Sequence, residues 1–220
     1  MTTFLLALLL GLIPGDDAPD APRPGVVDQA TQAKLREIAF QAAREGDVKT
    51  LAAYFESGLP ADIVNARGDT LLILAAYHGH DDAVKTILTR PKILIDAKNK
   101  MGFTALTGAA YKGYLGIAKR LVAKGANPNA ANKRGQTPLM YAAMFGRTEV
   151  VAFLVRSHAN LDAKDDQGRT ALMLASEQGG AEVVSLLAKA REQEPSPPAA
   201  APRPTPICHP TSHSVTRRSR

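Results

Sequence analysis

The chain has 220 residues, of which 45% are hydrophobic and 22% charged, an ordinary globular composition. Its one cysteine, Cys208, excludes an internal disulfide and a cysteine-based metal cluster. The net charge of +6 falls on the middle of the chain, because four aspartates in residues 1–30 offset four arginines in residues 194–220; it favours an acidic partner and is too small to imply nucleic acid.

Residues 1–15 contain an almost wholly aliphatic run, Phe4 to Ile13. It is about half the length a membrane-spanning helix needs, so no transmembrane span is expected. The length suits the apolar core of a secretory signal, and export to the periplasm is expected; a cytoplasmic chain with an apolar N-terminus is the alternative. Residues 16–30 are rich in proline and charge and read as a linker. From Pro195 the chain is again proline-rich and then basic, so residues 194–220 read as a tail without a core.

Between these ends, residues 31–193 are periodic. A glycine opens a similar stretch at Gly68, Gly102, Gly135 and Gly168, in steps of 34, 33 and 33 residues. Each glycine is followed by a threonine (Thr70, Thr104, Thr137, Thr170) placed to cap a first helix. Alanine pairs such as Ala109–Ala110 let those helices approach closely, and glycines such as Gly113 end them. A second, amphipathic helix follows, carrying stripes such as Val150, Val151 and Leu154. It closes on Gly58 and Gly125 in two units, but on His158 in another, where a left-handed backbone is expected. Pro91 and one extra residue interrupt the second unit, and Ile93 and Ile95 are expected to tuck inward. Asn65, Asn99, Asn132 and Asp165 each precede the repeat glycine by three residues and are placed to hold a turn. Residues 31–65 form a degenerate first unit with Glu37 in the threonine position and a polar outer end, and Asp28 or Thr31 is expected to cap its first helix.

With its T-x-L, A-A-then-Gly and V-x-x-L-L pattern, the unit resembles the ankyrin repeat. The resemblance implies an all-α solenoid of about five helix-turn-helix repeats, degenerate caps included, with finger loops between repeats. The chain is similar to bacterial exported ankyrin repeat proteins, some of which accompany periplasmic redox enzymes or neutralise exported toxins. It departs from the family where T-P-L-H ends in histidine: Ile73, Thr107, Met140 and Met173 stand there instead. The inter-loop hydrogen bond attributed to that histidine is then missing, and apolar packing is expected to substitute.

No nucleophile elbow, phosphate-binding glycine loop or H-E-x-x-H motif is present, so no catalytic residues, cofactor or metal are expected. The resemblance implies binding of a partner protein through the concave face and fingers. It places Tyr77, Tyr111 and Met144 in one row and His78, Lys112 and Phe145 in a parallel row. Lys100, Met101, Phe103 and Arg134 join from the fingers, alongside Arg67, Lys98, Lys133 and Arg169. Exposed rings and Met beside cations are the composition of binding hot spots. A monomer is expected. Two alternatives are nucleic-acid or acidic-surface binding through the basic fingers, and a protective or inhibitory factor for one exported enzyme.

Overall fold

A computed structural model describes residues 29–193. The Phe4–Ile13 run, most of the expected linker, the 194–220 tail and Cys208 lie outside the described residues. Among the described residues ten helices form five pairs: α1 (Gln29–Glu45) with α2 (Val48–Glu56), α3 (Leu71–His78) with α4 (Asp81–Leu88), α5 (Ala105–Lys112) with α6 (Leu115–Ala123), α7 (Pro138–Met144) with α8 (Thr148–Arg156), and α9 (Ala171–Glu177) with α10 (Ala181–Gln193). Helix α1 already includes Gln29, so Thr31 lies within it and is not its cap.

The first helices α1, α3, α5, α7 and α9 form one layer and the second helices form another. The first layer packs more closely because alanine pairs sit at its contacts: Ala42–Ala43, Ala75–Ala76, Ala109–Ala110 and Ala142–Ala143 are all buried. Two layers of unequal spacing bend a stack toward the tighter one, which makes the first-helix layer the inner, concave side. One core runs the length of the stack, through Leu51, Leu71, Ile87, Leu106, Leu121, Leu139, Leu154 and Leu174.

Local chemistry sets the helix ends. The hydroxyls of Thr70, Thr104, Thr137 and Thr170 accept the backbone N–H three residues on, and Pro138 opens α7 where its missing donor costs nothing. His158 follows α8 at φ 58°, the left-handed conformation that Gly58 and Gly125 adopt after α2 and α6. Ile93 and Ile95 pack against the core, while Leu94 between them is 67% exposed.

Polar ties run from unit to unit. The His80 ring bonds the Arg44 carbonyl at 2.7 Å, and Arg147 Nε donates to the Tyr111 carbonyl at 3.1 Å. On the opposite edge, Asp96 accepts from the Asn127 N–H, and Asn129 accepts from the Asn160 N–H. The next acceptor in that series, Asp162, meets Arg191 at 3.0 Å instead. Helix α10 runs on past the point where α6 and α8 stop, and so places Arg191 of the fifth unit near the seat that Asn127 and Asn160 take in theirs.

Candidate functional site

The fingers rest on the four Asx residues. Each accepts backbone N–H groups two and four residues ahead, as Asn99 does from Met101 (3.0 Å) and Phe103 (2.9 Å). Gly102 turns there at φ 86°, and a Cβ on it would lie 2.7 Å from the Lys133 nitrogen, so successive fingers touch through backbone. The second side-chain group of each Asx residue finds a complement. Asn65 donates to Asp69, Asn132 donates to Gln136, and Asp165 accepts from Arg169. Asn99 is followed at that spacing by Phe103, and its amide crosses to Asp69 of the preceding finger at 2.7 Å.

This bond, with Lys100 N–H to the Arg67 carbonyl and Lys98 Nζ to the Ala131 carbonyl, joins the fingers. Polar contacts between loops are therefore present without the family histidine, and apolar packing does not act alone as expected.

On the inner side, one repeat step brings Tyr77 and Tyr111 into parallel stacking, with centroids 5.9 Å apart and planes 6° apart. Lys112 Nζ lies over both rings, 4.8 Å from Tyr77 and 5.5 Å from Tyr111. Phe145 meets Tyr111 edge-on at 4.5 Å and is 41% exposed. The expected parallel rows are thus merged: Phe145, not Met144, continues the line of rings. Met144 is partly buried against the core.

The end of α7 differs from the ends of α3 and α5. Helices α3 and α5 run through His78 and Lys112 to a glycine cap, whereas α7 stops at Met144 and leaves Phe145 as the cap residue at φ −102°. The contact itself is shared: Lys112, at the equivalent position, lies over Tyr77 as Phe145 meets Tyr111. His78 is exposed and lies edge-on to Tyr77.

From the fingers, Lys100, Met101 and Arg134 are exposed, and Phe103 is half-buried, edge-on to Tyr141 at 5.2 Å. Tyr141 was not among the expected site residues. It lies 6.4 Å from Tyr111, and its hydroxyl donates to Gln136 at 2.7 Å. Its signal in the sequence was its place four residues after Thr137, where Leu74 and Leu174 stand in other units.

The face is electropositive. Arg67 pairs with Asp69 at 3.2 Å and Arg134 with Asp166 at 3.4 Å, but no acid among the described residues pairs with Lys100, Lys112 or Lys133. Partial burial, with His80 and Lys112 nearby, pushes the His78 pKa below its ordinary value, so the neutral imidazole is favoured. Burial pushes the Tyr141 phenol up. Among the described residues no group of three or more His, Cys, Asp or Glu side chains is arranged to hold a metal ion, and no helix is long and apolar enough to cross a membrane. What the arrangement offers is contact: rings with exposed edges, thioether and cations along one side of a rigid stack.

Comparison with known proteins agrees with the repeat fold. The sequence profile of the family described as "Ankyrin repeats (3 copies)" matches residues 39–132 and 109–197. A Pseudomonas aeruginosa protein, PA3287, named for ankyrin repeats, is 42% identical over 66 residues, covering 30% of this chain and 37% of that protein. Human ankyrin repeat and SOCS box protein 3 is 35% identical over 91 residues, 40% of this chain and 18% of that protein. Alpha-latrocrustotoxin-Lt1a of Latrodectus tredecimguttatus is 41% identical over 64 residues, 29% of this chain and 4% of the toxin. The chain matches well under two thirds of the length of each.

Proposed function

The chain belongs to the ankyrin repeat family, whose units generally serve as protein–protein interaction modules, and from that premise we propose that it is a non-catalytic scaffold that binds one partner protein through its inner face and fingers. The observation that carries this reading is the line of rings Tyr77, Tyr111 and Phe145, bridged by Lys112 and left open on the inner layer. Large aromatic side chains held rigidly and half-exposed bring contact area at little entropic cost, which is why rings and cations dominate binding hot spots. Lysines without acidic neighbours add attraction for an acidic partner surface. The basic fingers support an acidic protein surface over nucleic acid, because Arg67, Arg134 and Arg169 are already engaged by carboxylates.

A pull-down comparing the wild-type chain with a Tyr111→Ala/Phe145→Ala variant tests the reading. The expected outcome is a protein retained by the wild type and lost from the folded variant. Equal retention by both removes the inner face from the account.

A further inference from the structure

One position interrupts the inner face. Four residues after the capping threonines stand Leu74, Gly108, Tyr141 and Leu174. Three of these units have a large side chain there, and the third unit has none. One repeat on, the Tyr141 ring fills the corresponding space: it packs on Phe103 of the preceding finger and bonds Asn132 and Gln136 of its own. At Gly108 the equivalent neighbours, Asp69 of the preceding finger with Asn99 and Phe103 of its own, instead border an open groove of about 360 Å³. That volume is at the small end of ligand sites, about 300–1,000 Å³, and holds one or two side chains.

The groove has apolar walls and a basic rim. Ile73, Leu74, Tyr77 and Phe103 line it, and Met101, 64% exposed, stands at its mouth. Arg67 and Lys100 border it from the fingers, and Lys112 lies against the Tyr77 ring. The one carboxylate on the lining, Asp69, is buried and holds the amides of Asn65 and Asn99 together with Arg67. A ligand therefore meets rings below and cations around.

We infer that the Gly108 groove receives an aromatic side chain from an acidic segment of the partner, seated where a tyrosine would stand in this unit, with flanking Asp or Glu carboxylates on Lys100 and Lys112. This rests on the inner-face reading and adds the chemistry of the partner.

Gly108 is helical, and a Cβ there would be in contact with the Tyr77 Cβ at 3.4 Å, so the groove can be plugged from within. The test titrates fluorescein-labelled Glu-Asp-Glu-Phe-Asp-Glu against the full chain by anisotropy. Three controls follow: the same peptide with Gly for Phe, the same peptide with Lys for each acid, and Gly108→Tyr protein. Gly108→Leu, matching Leu74, serves if circular dichroism shows the tyrosine variant unfolded. The expected result is binding that weakens about tenfold or more in every control, and several-fold in Lys100→Ala and Lys112→Ala.

No binding to the wild type, or equal binding to the plugged protein, overturns the inference. So does equal or tighter binding of the Lys-flanked peptide. A protein partner that tolerates Gly108→Tyr but is lost with Tyr111→Ala refutes the groove and leaves the face standing. A partner indifferent to Tyr111→Ala refutes the face itself.

Discussion

His158 sits at φ 58° where Gly58 and Gly125 close the equivalent helices. A left-handed backbone costs a residue with a Cβ about 1–2 kcal/mol, and glycine escapes most of it. His158→Gly is expected to raise stability by about 1 kcal/mol, read from a urea melt; a loss would show that the imidazole holds the turn. Asp165 presents the opposite case. Its side chain is fully enclosed; burial pushes its pKa up, but bonds from the Arg169 backbone and guanidinium and from the Gln167 backbone outweigh this and hold it below the ordinary carboxylate range.

A depressed folded-state pKa gives stability that is full above the unfolded value, about 3.9, and is lost as pH falls through the lower folded value. Asp165→Asn keeps the turn acceptor and loses the charge. It is expected to cost about 1.5–3 kcal/mol at pH 7, and the gap should close as pH falls below 4. A gap independent of pH would mean that shape, not charge, makes the difference. The turn role of the Asx residues was legible from their spacing. Their complements four residues on were legible too, as Asn with Asp69 or Gln136 and Asp with Arg169, but only to a reading that paired side chains across the turn.

Among elements, the helix caps were readable because each depends on a few consecutive residues. Thr104 is fully buried, its hydroxyl accepts the Thr107 N–H at 3.2 Å, and the two threonine hydroxyls bond each other. Thr104→Ala is expected to cost about 0.5–2 kcal/mol, with the α5 amides gaining the most hydrogen exchange. Unchanged protection in α5 would contradict the capping account. The early end of α7, before Phe145, was not readable. Repeat register makes Phe145 the equivalent of Lys112, and it bears on Tyr111 as Lys112 bears on Tyr77, but helix ends shift by a residue for reasons of packing that register does not carry. Helix α10 shows the same limit: its extra length serves Arg191 and Asp162, residues 29 apart.

At the scale of the whole molecule, each unit touches its neighbours only, so order passes along the stack and equivalent positions line up. That is why Tyr77 and Tyr111, 34 residues apart, stack almost parallel. The period alone made this row visible in the sequence. The groove at Gly108 was not seen, because it consists of a missing side chain and is recognised only against the Tyr141 ring that fills the next unit. The row also leaves two roles to separate, since rings that contact one another contribute to folding as well as to recognition.

The most direct test is a calorimetric titration of the captured partner into Tyr111→Ala and Phe145→Ala, with a thermal melt of each and Lys119→Ala, on exposed α6 surface, as the reference. The account expects affinity to fall by about 1–3 kcal/mol for each ring while the fold survives, and no change for Lys119→Ala. Folded ring variants that bind as tightly as the wild type would contradict it.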